Sequence, residues 1–280
     1  MPRGSPRSPA EMVAVSAKLP TCSSSSASPT VDPLERVLAF IRASFVRSAD
    51  AARPIEAGVV LRTPSMPAVW SVNQLRVKDS LGYPALVALA DEQLADFAYW
   101  HIVVEHQVAG PELEQAFRAA GWKVERELLM ILTGAPDRAA DLSVVAEAEE
   151  DEWLEVMARW YGEEPNAGTE WLAQLVEHCR RDARTNRDRL LGVRSGDGRL
   201  VAITKLRGDG STAQVEDVYT VPEARGRGYA RALVSRAAEL ARAGGHDLIF
   251  IVADDEDWPK QLYERVGFRP LGRVWQFHRG

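Results

Sequence analysis

The sequence predicts an α/β (α+β) protein of two domains, each a mixed central sheet flanked by helices. Three observations carry that expectation. The chain has 280 residues, against ~100–200 for a typical domain. Segments patterned like strands and helices alternate along it, and the alternation runs through twice. A helix-to-strand segment of the first half also recurs in the second.

The boundaries read 1–31, 32–135 and 136–280. The opening stretch is rich in Ser, Pro and Ala and reads as a disordered leader or as the product of a start codon placed too early; it lacks the continuous apolar core of a signal peptide. Order begins at Asp32-Pro33-Leu34-Glu35, a helix start signal with Asp at N-cap, Pro at N1 and Glu at N3. Leu34, Val37, Leu38, Ile41 and Phe45 then keep helical spacing. Strands are expected over 58–62 and 68–77, a helix over 85–97 and a strand over 100–106. A helix over 111–120 and a long strand over 122–133 follow, ending at the linker Gly134-Ala135-Pro136-Asp137.

The second half predicts a strand over 142–146 and helices over 149–161 and 170–181. Strands follow over 189–194, 200–207 and 212–221, with Ser195-Gly196-Asp197-Gly198 as a hairpin turn. A helix over 225–243 carries Ala230, Leu233, Val234, Ala237 and Ala241 on one side and stops at Gly244-Gly245. A buried strand over 247–252, a short helix over 259–266 and strands from Phe268 complete the chain.

Composition narrows the function. Net charge is −6 with both signs interspersed, which argues against a nucleic-acid footprint. Only Cys22 and Cys179 are present, without metal-ligand spacing, so no disulfide framework or zinc site is expected and a reducing cytoplasm is the natural compartment. His101 and His106 make a poor metal pair, and no metal is predicted. No apolar run approaches the ~20 residues of a membrane span.

The most informative segment is V-E-D-V-Y-T-V-P-E-A-R-G-R-G-Y-A-R-A-L-V, Val215 to Val234. A strand runs into Arg225-Gly226-Arg227-Gly228-Tyr229-Ala230, which opens a helix. Free N–H groups at a helix start suit a pyrophosphate. Gly226 and Gly228 let phosphate oxygens approach the backbone, and Arg227 and Arg231 can add charge-assisted contacts. A dinucleotide fingerprint is incomplete, because position 231 is Arg.

Arg225 to Ala230 matches the R/Q-x-x-G-x-G/A signature of GNAT acyltransferases, and Leu262-Tyr263-Glu264-Arg265-Val266-Gly267-Phe268 resembles that family's L-Y-x-x-x-G-F motif. The resemblance covers most of 200–280. It implies acetyl-CoA as cosubstrate, direct transfer of acetyl to a primary amine, and Val218, Tyr219 and Thr220 as the splayed strand that pairs with pantetheine. It implies Tyr263 as the acid for the leaving thiolate and a backbone N–H near Thr220 or Val221 for the oxyanion. Glu216-Asp217 resembles a Glu-Asp pair of polyamine-acetylating members, with Glu216 as the base. Strand alternation would put Glu216, Val218 and Thr220 on one face and Asp217 and Tyr219 on the other. The family often has Asn about seven residues before its Tyr; here Glu256 stands in an acidic loop, so contacts from that loop are not carried over.

Two acidic groups also draw notice. Glu147, Glu149, Glu150, Asp151 and Glu152 crowd a helix start, usually a solvated face. With Glu163 and Glu164 they fall where the family's fold borders the acceptor pocket, which would suit a cationic acceptor. Trp153, Trp160, Tyr161 and Trp171 are read as either cleft or core.

Leu113 to Trp122, L-E-Q-A-F-R-A-A-G-W, aligns with Pro259 to Phe268, P-K-Q-L-Y-E-R-V-G-F. Gly121 meets Gly267, Phe117 meets Tyr263, and Trp122 meets Phe268. The first half's phosphate loop would be K-D-S-L-G-Y-P-A, with one Gly and no Arg. The chain thus resembles a tandem GNAT protein whose first half is degenerate, a layout shared with mycothiol synthase-like enzymes. Monomer or homodimer both remain open, as does a non-catalytic acyl-CoA-binding regulatory module.

Overall fold

The computed structural model describes residues 32–164 and 168–280. The expected leader and Cys22 lie outside the described residues. Asp32–Gly280 form one compact unit. The first half contributes α1 (Pro33–Ser48), β1 (Ala51–Ile55), β2 (Gly58–Arg62), β3 (Gln74–Val77), α2 (Tyr83–Leu94), β4 (Trp100–Val104), α3 (Gly110–Ala119) and β5 (Lys123–Leu132). The second contributes β6 (Val145–Glu147), α4 (Glu150–Tyr161), α5 (Thr169–Asn186), β7 (Arg189–Arg194), β8 (Leu200–Asp209) and β9 (Thr212–Thr220). It continues with α6 (Tyr229–Ala243), β10 (Leu248–Asp254), α7 (Pro259–Val266) and β11 (Phe268–Arg279).

All eleven strands form one mixed sheet, ordered β1-β2-β3-β4-β11-β5-β10-β9-β8-β7-β6. The repeat read from sequence is visible as β3-α2-β4-α3-β5 against β9-α6-β10-α7-β11. Each repeat sends its last strand into the other. β5 runs antiparallel between β10 and β11, pairing Ile251 with Met130 on one side and Val274 with Glu127 on the other. β11 in turn pairs with β4 of the first half, Phe277 opposite Ile102. The linear division near residue 135 is therefore not a division of the sheet.

The crossover is sealed where the linker meets the α7–β11 junction. Gly267, at φ +109°, caps α7, and its carbonyl accepts from Thr133 N–H (3.2 Å) and Gly134 N–H (3.0 Å). A Cβ on Gly267 would lie 2.5 Å from the Gly134 carbonyl oxygen, so backbone touches backbone and only glycine fits.

Side-chain alternation sorts the helices. Leu128, Met130, Ile251 and Val215 pack under α6 and α7, and Val124, Phe277 and Ile102 under α2 and α3. The opposite face takes α1 over Leu129, Phe250 and Val103, and α4 over Ile203 and Tyr219. α6 lies close because its buried side is small: Ala232, Ala237, Ala238 and Ala241 flank Leu233 and Val234.

Three local expectations are corrected. The strand expected over 68–77 begins with a 3-10 turn, Trp70–Val72. Buried Asn73 fixes it, accepting from Thr63 N–H (2.6 Å) and donating to the carbonyls of Met66 and Val69. The segment over 142–146 likewise starts with a 3-10 turn, capped by Asp141, which accepts from Ser143 N–H at 3.0 Å. β1 was not expected at all. It is an edge strand, largely exposed and containing Pro54, and edges tolerate both features.

Candidate active site

β9 leads through a 3-10 turn (Pro222–Ala224) into Arg225–Gly228 and then α6. Gly226 and Gly228 take φ +77° and +82°, and no atom lies within 4 Å of a Cβ placed on either. The turn is left-handed, and the space above it is open. Gly228 caps α6 without a side-chain hydrogen bond, so the helix's first N–H groups face a groove of about 590 Å3. That geometry fits a pyrophosphate on both counts, close approach and unpaired donors.

The arginines divide. Arg227 is exposed and carries no ion pair among the described residues. Arg225 donates from Nε to the Thr220 carbonyl (3.0 Å) and lies over the Tyr219 ring. Arg231 lines the groove but is largely buried, its guanidinium on Asp137 (2.5 Å). Its charge ties the linker to α6 and is already paired. Tyr229 and Ala230 are half-buried and form the first turn of the helix.

Next to this turn the sheet opens. The parallel pair β9–β10 holds register from Thr212–Leu248 to Val215–Ile251 and then parts. β9 continues to Thr220 with only β8 beside it. Backbone alternation turns the N–H groups of Val218 and Thr220 toward the open side. The Val221 N–H donates to Val201 O (3.0 Å), so of the two expected oxyanion donors Thr220 is the one left available. The equivalent pair in the first half stays closed. β3 and β4 pair to Val77–Val104, Glu105 N–H adds a bond to Val77 O (2.9 Å), and Tyr83 packs its ring on Phe117.

The expected face assignment on β9 is overturned by a bulge. Ile203 pairs with Tyr219 and Lys205 with Glu216, so one residue of β8 opposes two of β9, and Asp217 sits at φ +55°. Beyond the bulge the alternation shifts. Glu216 and Asp217 both turn to Lys205, on the same face as Tyr219, whereas Val218 and Thr220 take the α6 face.

Buried Lys205 is ringed by acids: Asp182 and Asp217 at 2.9 Å, Glu216 at 3.1 Å and Asp188 at 3.8 Å. Burial pushes the Asp182 carboxyl up, but Lys205 and Arg207 outweigh it and hold it well below the usual range. Asp217 goes the other way; burial outweighs Lys205, and its carboxyl rises to about 6. Glu216 Oε2 is buried yet accepts no well-directed hydrogen bond, which leaves it able to receive one from another donor.

Tyr263 projects from α7 into the wall between the groove and an adjoining cavity of about 430 Å3. The residue is buried, and burial, with Asp217 and Asp257 adding, raises its phenol above the ordinary value. It is therefore protonated at neutral pH and able to donate.

This cavity also reaches Glu216, Asp217, Trp160 and, from β5, Glu125 and Glu127. A deeper one of about 260 Å3 joins Glu127 and Glu216 to Lys205 and His178. A third, of about 540 Å3, is walled by Trp70, Tyr161, Trp171 and Glu164. Glu125 and Glu127 were missed. The pattern K-V-E-R-E-L-L-M-I-L held the signal: Glu125 and Glu127 share a strand face with Leu129 and Ile131, which pack under α1. Acids on an otherwise apolar inward face mark a polar cavity.

Most of the acidic run does not border these cavities. Glu150 pairs with Arg180 and Arg184, Glu152 with Arg194 and Glu147 with Arg189. Glu163 accepts from the Tyr219 hydroxyl, and Trp153 is core. Glu256 pairs with Arg126 at 3.1 Å. Among the described residues no cluster could hold a metal ion, and no helix is long and apolar enough to cross a membrane.

Residues 149–268 match the model of the Acetyltransferase (GNAT) family. A mycothiol acetyltransferase of Beutenbergia cavernae is 36% identical over 131 residues, 45% of this chain and 43% of its own. The match thus spans less than half of that relative. A mycothiol acetyltransferase of Clavibacter sepedonicus is 27% identical over 204 residues, 69% of this chain and 67% of its own. Among solved structures, a tandem GNAT protein from the clavulanic acid biosynthesis pathway superposes with a TM-score of 0.51 at 16% identity, covering 84% of this chain and 86% of its own. That likeness is one of fold.

Proposed function

We propose, on the premise that residues 149–268 are a domain of the acetyltransferase (GNAT) family, that this protein transfers acetyl from acetyl-CoA to an amine of a small molecule. One observation carries the reading: β9 and β10 part immediately beside a left-handed glycine turn at a helix start. Pantetheine would add to the freed edge of β9 while the pyrophosphate rests on the α6 N-terminus. The thioester then lies near Val218 and Tyr263, at the entrance to the acid-lined cavity. Thr220 N–H stabilises the oxyanion, Tyr263 protonates the departing thiolate, and Glu216 meets the acceptor ammonium and draws off its proton. The first half walls the acceptor side through β5 and Trp70.

The acid lining favours a cationic acceptor. One relative is named glucosamine 6-phosphate N-acetyltransferase, so amino sugars head the panel to be tested. Thiol release from acetyl-CoA should appear with at least one amine among glucosamine, glucosamine 6-phosphate, polyamines and amino acids. Calorimetry should give one acetyl-CoA per chain, since the first half keeps β3 and β4 zipped and has no left-handed glycine turn before α2. Two equivalent sites, or no binding, would count against this reading.

Gly228→Val tests the cradle. At φ +82° a β-branched residue is strained, and its methyls enter the space above the turn. Acetyl-CoA affinity should fall at least tenfold while the thermal transition stays cooperative. Unchanged affinity in a folded variant would move the phosphate site elsewhere.

A further inference from the structure

We propose that Glu127, carried into the second half by the exchanged strand β5, is the resting place of the proton removed from the acceptor amine, with Glu216 opposite it receiving the ammonium. This rests on the acetyltransferase reading above.

The placement is built by the sheet. Glu127 lies between Asp254 of β10 and Val274 of β11 in the register, on the face covered by α1 and α5. Glu216, opposite Lys205 and just before the bulge at Asp217, lies on that same face. Both carboxylates border the cavity that Tyr263 enters, and both border the deeper one behind it. An amine reaching the thioester through this cavity meets both carboxylates.

Their surroundings differ. Glu216 is 3.1 Å from Lys205 and 3.6 Å from Arg207, so two cations stand beside it. Glu127 has no ion-pair partner among the described residues. Facing it are Arg76 from β3, Glu125 from its own strand, Gln276 from β11, Glu216 from β9, and Lys205 and His178 across the deeper cavity. Burial raises its carboxyl, Arg76 opposes, and Glu216 and Glu125 add, leaving it at about 7. A base serves best when its proton affinity is near the working pH.

The step balances. The R–NH3+ nitrogen loses one proton to the carboxylate pair, where it rests on Glu127 as a neutral acid. The nitrogen lone pair forms the C–N bond as the C–S bond breaks; the thiolate takes a proton from Tyr263, and the second proton shed by the new amide nitrogen restores the Tyr263 phenol. A first-half residue thereby enters the chemistry, so the degenerate half supplies more than a wall.

Two measurements decide it. Carboxyl NMR on the full chain labelled with [δ-13C]glutamate needs no acceptor. It should show one resonance with a midpoint near neutrality that vanishes in Glu127→Gln and titrates lower in Glu216→Gln, because the facing charge is gone. A Glu127 that ionises like an exposed glutamate, or ignores Glu216→Gln, overturns the proposal. With any amine that supports thiol release, kcat/KM should rise with pH through the same midpoint. Glu127→Gln should cut it by ~10²-fold and flatten that limb, with Glu127→Asp restoring part. A wild-type profile in Glu127→Gln overturns the proposal. Acetyl-CoA calorimetry accompanies each variant: lost binding in the wild type would sink the acetyltransferase reading, while the NMR result still judges the carboxylate pair.

Discussion

Tyr263→Phe should lower turnover by ~10²–10⁴-fold, the usual contribution of a general acid, and leave acetyl-CoA affinity as it is. The substitution removes a single oxygen. The ring that remains keeps its packing against Phe268, 6.4 Å away at 62°, and the residue's place among Val266, Ile251 and Leu128 in the core. Folding and cosubstrate binding therefore have no reason to change. The proton source for the thiolate does change. Burial and the nearby Asp217 and Asp257 carboxylates keep the phenol protonated, so in the native protein it stands ready as donor throughout the neutral range. Rapid mixing with acetyl-CoA and an active amine would read the loss directly as thiol release. Wild-type turnover in Tyr263→Phe would return the residue to a packing role, the one Phe117 plays at the equivalent position of the first half, where it stacks on Phe277 at 4.0 Å.

Glu216→Gln should be nearly as damaging at neutral pH, by ~10²-fold or more, and part of the loss should return as pH rises. The sign follows from the substrate. An alkyl ammonium with a pKa near ~10 is almost fully protonated at neutrality and cannot attack. Glutamine keeps the shape but neither attracts the cation nor accepts its proton. Above neutrality, solution supplies more free amine, and the need for the carboxylate shrinks. The fold should survive, because Lys205 keeps Asp182 and Asp217 at 2.9 Å. Turnover of Glu216→Gln equal to wild type across about pH 6–9 would leave the role to the facing Glu127 alone, whose carboxyl stands at about 7, or to Asp217, raised to about 6.

Much of this was legible in the sequence because the informative segments are local. A glycine pair at positive φ before an apolar-faced helix, and a helix closing on Tyr-x-x-x-Gly, are dictated within a few residues. The repeat was legible for the same reason: Gly121 and Gly267 end equivalent helices. What stayed hidden depends on partners far away. The bulge at Asp217 is set by register against β8, so simple alternation wrongly grouped Val218 and Thr220 with Glu216. Arg231, read as a phosphate ligand, lines the groove, but its pairing with Asp137 comes from the fold and could not be read locally. Glu127 looked like any strand carboxylate until β5 was found between β10 and β11.

That exchange also bears on how the chain is made. β4 waits for β11, which follows it in the chain only after the whole second repeat. Until β11 emerges, the first half has β4 and β5 without the strand that belongs between them, two open edges of the kind that recruit other chains. The native sheet of the two halves is thus completed together, when β11 docks between β4 and β5. A nascent or truncated polypeptide ending before Phe268 would be damaged in the half from which nothing had been removed, and two such chains at high concentration could each lend the other the missing strand.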